Sequence, residues 1–427
     1  MTASWAIRDR LTSGTPAVPL GTVTRTVQAD SALLDQRHAL AVHLLPESRR
    51  RNMNEWILRL DEGPADGPRL AVKDAIDVAG YPTTVGSPAL RDRAPAAADA
   101  PCVATARTFG ARIVGKTNLH ELCFGTTGLN AAFGHPVNPR WPDLVPGGSS
   151  SGSAVAVALG EADVALGTDT GCSVRMPAAC CGIAGLKTTH GRISIDGVWP
   201  LAPSFDTVGP LARDVAGLVL GMQMLVPGFS IEGIRPPITV GRLAAPPGVP
   251  VDPTFDAAVD RALAAAGFAP EPVALAGWDR AASSFAVMID FEAWQSSGRL
   301  LATGLVQDYV ARRLGPCELV TVEAYTDARR RAGIWTAEVL ALLQRCEVLA
   351  LPTLSHAPTP VGDKAVMRNG LNLPFNVAGT PAISIPVGPN PGESLQLIAA
   401  PGGEELLLAT AAVVERVVGI LPRLNPG

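Results

Sequence analysis

The chain runs to 427 residues, 47% hydrophobic and 17% charged, which is enough apolar content to bury a large core and too ordered a composition for an unfolded segment. A net charge of −4, with no basic run beyond Arg49–Arg51 and Arg329–Arg331, excludes a nucleic-acid footprint. No stretch of about twenty apolar residues occurs to span a membrane, and the N-terminal residues lack the apolar core of a leader, so a soluble, cytoplasmic protein is expected.

In chain order, residues 1–60 read as a short strand or loop followed by helical stretches. Leu70 to Val78 is an apolar run interrupted by Lys73, Asp74 and Asp77. Burial lowers a lysine pKa, and a neutral lysine can act as a base toward a serine hydroxyl. Taken alone, Ala71-Val72-Lys73-Asp74 reads rather as an ordinary strand end with a solvated lysine head, the usual fate of lysine; the segments downstream reverse that preference. Ala100 to Gly110 predicts a helix ending at glycine, and Ala111 to Lys116 the next strand.

Gly147 to Ser153 is a run of glycine and serine. A nucleotide P-loop is excluded because no Gly-Lys-Ser/Thr follows. Gly148-Ser149-Ser150-Ser151-Gly152 also fits the Gly-x-Ser-x-Gly nucleophile elbow, with Ser150 as nucleophile, but that elbow needs a strand before it. Pro139, Pro142 and Pro146 argue against one. Ala154 to Leu159 predicts a buried helix, and Ala162 to Gly167 a buried strand that breaks into Thr168-Asp169-Thr170-Gly171-Cys172-Ser173. The backbone N–H groups of Thr170, Gly171, Cys172 and Ser173 could converge there on one oxygen, forming an oxyanion hole. Pro253 to Ala266 and Val322 to Leu343 read as helices of a peripheral region. The strand and helix alternation over 69–215 implies an α/β layer fold. Seven scattered cysteines without Cys-x-x-Cys, and six histidines with only His38 and His43 near each other, predict no disulfide framework, no metal and no cofactor.

Val72-Lys73-Asp74, Gly147 to Ser153 and Gly167 to Arg175 together resemble the amidase signature family, serine hydrolases that cut carboxamides with a Ser-Ser-Lys relay. Pro177, Cys181-Gly182, Gly185, Lys187, Ser204 to Pro210 and Ala212-Arg213-Asp214 continue the pattern, and residues 145–158 share their sequence with compact members such as indole-3-acetamide hydrolases. The resemblance implies an α/β/α sandwich around a mixed twisted sheet. It implies one domain over 1–427: a signature core at about 69–215, a peripheral helical region at about 216–346 and closing strands at about 347–410, drawn from Leu349 to Thr353, Pro374 to Ala382 and Leu395 to Ile398. It makes Ser173 the nucleophile, Ser149 the bridge after a cis Gly148–Ser149 peptide, and Lys73 the base.

By the same resemblance Asp169 and Arg175 support the serine turn, and Met176 lines the acyl pocket with Cys123 and Phe124. A methionine wall predicts a neutral apolar acyl group; preference for an acidic amide would instead point to an arginine from 216–345. Cys172 stands where the family usually has glycine, and Thr188 where it has proline. If the backbone at Cys172 needs a positive φ, the side chain is strained. The implied activity is hydrolysis of a small carboxylic amide to acid and ammonia or amine, with a small-molecule amide as partner, no nucleic acid, no membrane, and room for a homodimer. The alternatives are a chain like the glutamyl-tRNA amidotransferase component that hands its ammonia to a partner, or a binding module that keeps the fold without catalysis.

Overall fold

The computed structural model describes residues 53–246, 248–362, 365–419 and 421. Most of the N-terminal helical stretch expected within 1–60, Arg49–Arg51, His38 and His43 lie outside them; the described end of that stretch is a strand, Trp56–Glu62, rather than a helix.

Eleven strands form one mixed sheet. They are β1 (Trp56–Glu62), β2 (Arg69–Lys73), β3 (Arg112–Thr117), β4 (Val164–Thr168), β5 (Ala184–Lys187), β6 (Val208–Ala212), β7 (Val240–Leu243), β8 (Glu271–Val273), β9 (Val348–Pro352), β10 (Ala382–Pro386) and β11 (Ser394–Ala399), ordered β1-β3-β2-β4-β6-β5-β10-β11-β9-β7-β8. β2 runs parallel to β3 and β4, whereas β6, β5, β10, β11 and β9 pair antiparallel in succession. The helices are α1 (Pro101–Phe109), α2 (Ser151–Ala158), α3 (Arg175–Cys181), α4 (Val215–Leu225), α5 (Pro253–Ala265), α6 (Trp278–Ser297), α7 (Asp308–Leu314), α8 (Val322–Leu343), α9 (Leu373–Val377) and α10 (Glu404–Val418). None of the described helices is long and apolar enough to cross a membrane.

The period of two along each strand divides the core into layers. In β9, Val348 and Ala350 pack with α1, α4, α5 and α10, while Leu349 and Leu351 pack with α6 and α8 on the other face. The result is the expected α/β/α sandwich. In β2, Leu70 and Val72 join the first face and Ala71 joins the residues of α2. The same alternation sends Lys73 toward α2 and the serine loop ahead of it.

Two parts of the reading change. The region 216–346 is not helical throughout: β7 and β8 extend the sheet, β7 running parallel to β9. Both are short, and Pro272 in β8 suits a sheet edge. Pro374 to Ala382 is not a strand either; residues 373–377 form α9, with proline in its first turn where no backbone donor is needed, and the chain turns through Gly379 at φ +67° before β10 begins. Trp335 donates to the Pro374 carbonyl at 2.7 Å and fixes α9 against α8.

Candidate active site

Lys73 closes β2 and is fully buried. Its Nζ lies 2.7 Å from Ser149 Oγ and 2.7 Å from Thr168 Oγ1, and it makes no ion pair among the described residues. Burial is the main influence on this amine and lowers its pKa from the ordinary lysine value. Ser149 follows the expected cis Gly148–Ser149 peptide, and its carbonyl accepts from His120 N at 3.0 Å and Ser151 N at 2.9 Å.

The second turn leaves β4 at Thr168 and enters α3 at Arg175. Asp169 holds it from inside. Its carboxylate takes Arg175 Nε at 3.0 Å and Nη2 at 2.9 Å, Val174 N at 3.1 Å and Asn376 Nδ2 at 2.8 Å. Burial pushes the Asp169 carboxyl up, but the Arg175 charge and these hydrogen bonds outweigh it and bring it to about 2. Arg175 also donates to Asn372 O at 3.0 Å and Gln396 Oε1 at 2.7 Å, so one buried guanidinium ties the turn to α9 and β11. Thr170 Oγ1 donates to buried Asp206 at 2.6 Å, and the same carboxylate accepts from Leu201 N and Ala202 N. Ser150 N donates to Ser173 O at 3.3 Å, which joins the two glycine-rich segments.

Ser173 lines a cleft of about 360 Å³ together with Thr170, Gly171 and Cys172. Cys123, Phe124, Leu201, Phe285, Ile289, Met367 and Leu373 give it apolar walls, and Asn369, Asp290 and Arg313 add polar ones. No described carbonyl or side-chain oxygen accepts from the N–H groups of Thr170, Gly171, Cys172 or Ser173. A Cβ on Gly171 would stand 2.8 Å from the Phe285 ring, so a side chain at this position would have to displace that ring.

Several expectations are placed differently. Met176 does not line the cleft; it is fully buried behind Cys172, Sγ to Sδ 3.9 Å, because the first turn of α3 points it away from the opening. Cys172 has no positive φ, so it carries no left-handed strain, and its thiol packs toward Gly148 O at 3.9 Å. Ser150 is fully buried against Thr168, its Oγ 3.3 Å from the Thr168 carbonyl, with no strand leading into it, which removes the elbow arrangement. Positive φ occurs instead at Leu122 (52°) and Cys123 (58°), beside the cleft. Among the described residues no three His, Cys, Asp or Glu side chains are grouped to hold a metal.

Sequence reading missed the roles of Thr168, Asp206, Asn376 and Arg313. Thr168 and Asp206 sit inside the family motifs, but spacing alone assigns them no contact. Arg313, over the Phe124 ring at 4.2 Å from its centroid, comes from the region where no motif is legible.

Residues 22–228 match the Amidase family. The chain is 32% identical to a glutamyl-tRNA(Gln) amidotransferase subunit of Symbiobacterium thermophilum, over 92% of each chain. It is 33% identical to AtzE, a 1-carboxybiuret hydrolase subunit of a Pseudomonas species, over 82% of this chain and 84% of that one. Among solved structures, an amidase superposes with a TM-score of 0.75 at 30% identity over 90% of this chain and 89% of that one. With this fold, this match and these relatives, the chain belongs to the amidase signature family, amidohydrolases that act on carbon–nitrogen bonds.

Proposed function

We propose that the protein hydrolyses a small carboxylic amide through an acyl-enzyme on Ser173. Neutral Lys73 takes the Ser149 proton as Ser149 takes that of Ser173, and Ser173 Oγ attacks the amide carbon. The free N–H groups of the Thr170 to Ser173 turn receive the developing oxyanion. The C–N bond then breaks as the relay returns its proton to the leaving nitrogen, and water releases the acid. The observation that carries this reading is the buried contact of 2.7 Å between Lys73 Nζ and Ser149 Oγ. It also weighs against a binding module without catalysis, since all three relay residues are present.

Loss of Met176 from the wall removes the basis for a wholly neutral acyl group. The walls near Ser173 remain apolar, whereas Arg313 is exposed at the cleft and makes no ion pair among the described residues. Asp290 lines the same cleft; burial raises its carboxyl and the Arg313 charge works against that rise. We read the substrate as an amide with an apolar stem and a carboxylate at its far end. The relatives named for the glutamyl-tRNA(Gln) amidotransferase favour a second reading, glutamine as the amide donor, with Arg313 and Asp290 meeting its carboxylate and ammonium groups.

A kinetic panel on the purified chain separates these. Higher kcat/KM for a carboxylate-bearing amide than for its neutral isostere supports the first reading. Glutamine as the best substrate supports the second, and a neutral aryl or alkyl amide as the best substrate contradicts both.

A further inference from the structure

Arg313 lies near the end of α7, a helix of one to two turns that cannot hold its own position in water. Val310 and Leu314 sink its inner face into the core, and its register over the cleft is set by what anchors the other end. Gln307, the residue before α7, is bound on every polar group it has. Its N–H donates to Glu121 Oε2 at 3.0 Å, its Oε1 accepts from Ala131 N at 3.0 Å, its Nε2 donates to Asn130 Oδ1 at 3.1 Å, and its carbonyl accepts from Val310 N at 2.9 Å. Tyr309 adds an O–H to Leu129 O at 3.2 Å and an edge contact on His120 with ring centroids 5.1 Å apart.

Apart from the bond to Val310, all of these partners belong to residues 120–131, the segment that also supplies Cys123 and Phe124 to the cleft wall. Glu121 is fully buried and has its other oxygen on Ser87 Oγ at 2.6 Å, so the segment is itself fixed to the loop after β2.

We propose that Gln307, with Tyr309, is a positioning residue for substrate specificity: it registers α7 on the 120–131 segment and so sets Arg313 at the height over Phe124 where a substrate carboxylate arrives. Neither side chain lines the cleft, and neither touches the relay. This rests on the reading of Arg313 given above. Truncating Gln307 frees two hydrogen bonds and lets α7 shift, which changes the distance from guanidinium to carboxylate while the serine turn stays as it is.

The test measures kcat and KM separately for a carboxylate-bearing amide and its neutral isostere in wild type, Gln307→Ala, Tyr309→Phe and Arg313→Ala. For the acidic substrate, Gln307→Ala is expected to raise KM about three- to tenfold, the range expected for one hydrogen bond or so, with kcat unchanged; Tyr309→Phe should act in the same direction and more weakly. The neutral substrate should be unaffected by either. In the Arg313→Ala background, Gln307→Ala should add nothing. If Arg313→Ala leaves the acidic substrate unchanged, the substrate reading falls and this inference with it. If Arg313→Ala is costly while Gln307→Ala and Tyr309→Phe are silent, or if they impair both substrates equally, the substrate reading stands and the positioning role is overturned.

Discussion

Replacing Arg175 by alanine should cripple the enzyme through stability as well as geometry. The guanidinium is fully buried and makes the bidentate pair with Asp169 at 2.9 and 3.0 Å, plus bonds to Asn372 O and Gln396 Oε1. Removing one partner of such a buried pair leaves a desolvated charge, a loss of roughly 3–5 kcal/mol against a total stability of about 5–15 kcal/mol. Asp169→Asn should cost less. The drop of the Asp169 carboxyl from 3.8 to about 2 corresponds to only ~2 kcal/mol of favourable interaction, and Arg175 keeps three other oxygen acceptors, Asn372 O, Gln396 Oε1 and Asn376 Oδ1. The double variant Asp169→Asn/Arg175→Ala removes both charges, so its loss should be smaller than the sum of the two single losses by roughly 1–3 kcal/mol. Reversible unfolding in denaturant gives all four corners of this cycle, and kcat measured on the folded fraction reports the serine turn. Additive losses, or an Arg175→Ala enzyme with unchanged stability and kcat, would refute the reasoning.

Other outcomes follow from the same structure. Lys73→Ala should fold and lose roughly 10²–10⁴ in kcat. Because burial lowers the Lys73 pKa, wild-type kcat/KM should rise with pH as the amine loses its proton and level off below the ordinary lysine value of 10.5; a rate that falls over that range contradicts a lysine base. Gly171→Ala should depress kcat by pushing on Phe285, 2.8 Å from the new Cβ, and Phe285→Leu should restore part of it; an unaffected Gly171→Ala enzyme removes the tight turn. Glu415, whose carboxylate accepts from Val215 N at 3.0 Å, is raised from 4.5 to about 7, mainly by burial. A raised carboxyl pKa gives stability that is present below the unfolded value and lost as pH rises through the folded one. Stability should therefore decline from about pH 4.5 to 7, and Glu415→Gln, which keeps an acceptor for Val215, should flatten that decline in thermal melts.

Legibility followed how local the signal was. α1, α5 and α8 were readable because each has a cap or a breaker in its own sequence: Gly110 in the left-handed conformation after α1, Pro253 opening α5 after the Asp252 cap, and Thr321 capping α8. The proposed relay was legible because Lys73, Ser149 and Ser173 each sit in a dense motif. Met176 was misplaced because a side chain three residues past the serine is aimed by the helix it enters, and that direction is not written in the spacing. β7 and β8 escaped because four and three residues carry too little alternation to register. Arg313 escaped because its role is set by α7 docking on residues 120–131, nearly two hundred positions earlier in the chain.

The central claim, that Ser173 is the nucleophile of a Lys73–Ser149 relay, is tested most directly by intact-mass and peptide mapping after treatment with a fluorophosphonate. A single adduct on Ser173 is predicted, formed at a rate that rises with pH, absent in Ser173→Ala and slowed by orders of magnitude in Lys73→Ala. An adduct on Ser150, or labelling that survives Ser173→Ala, would contradict the account.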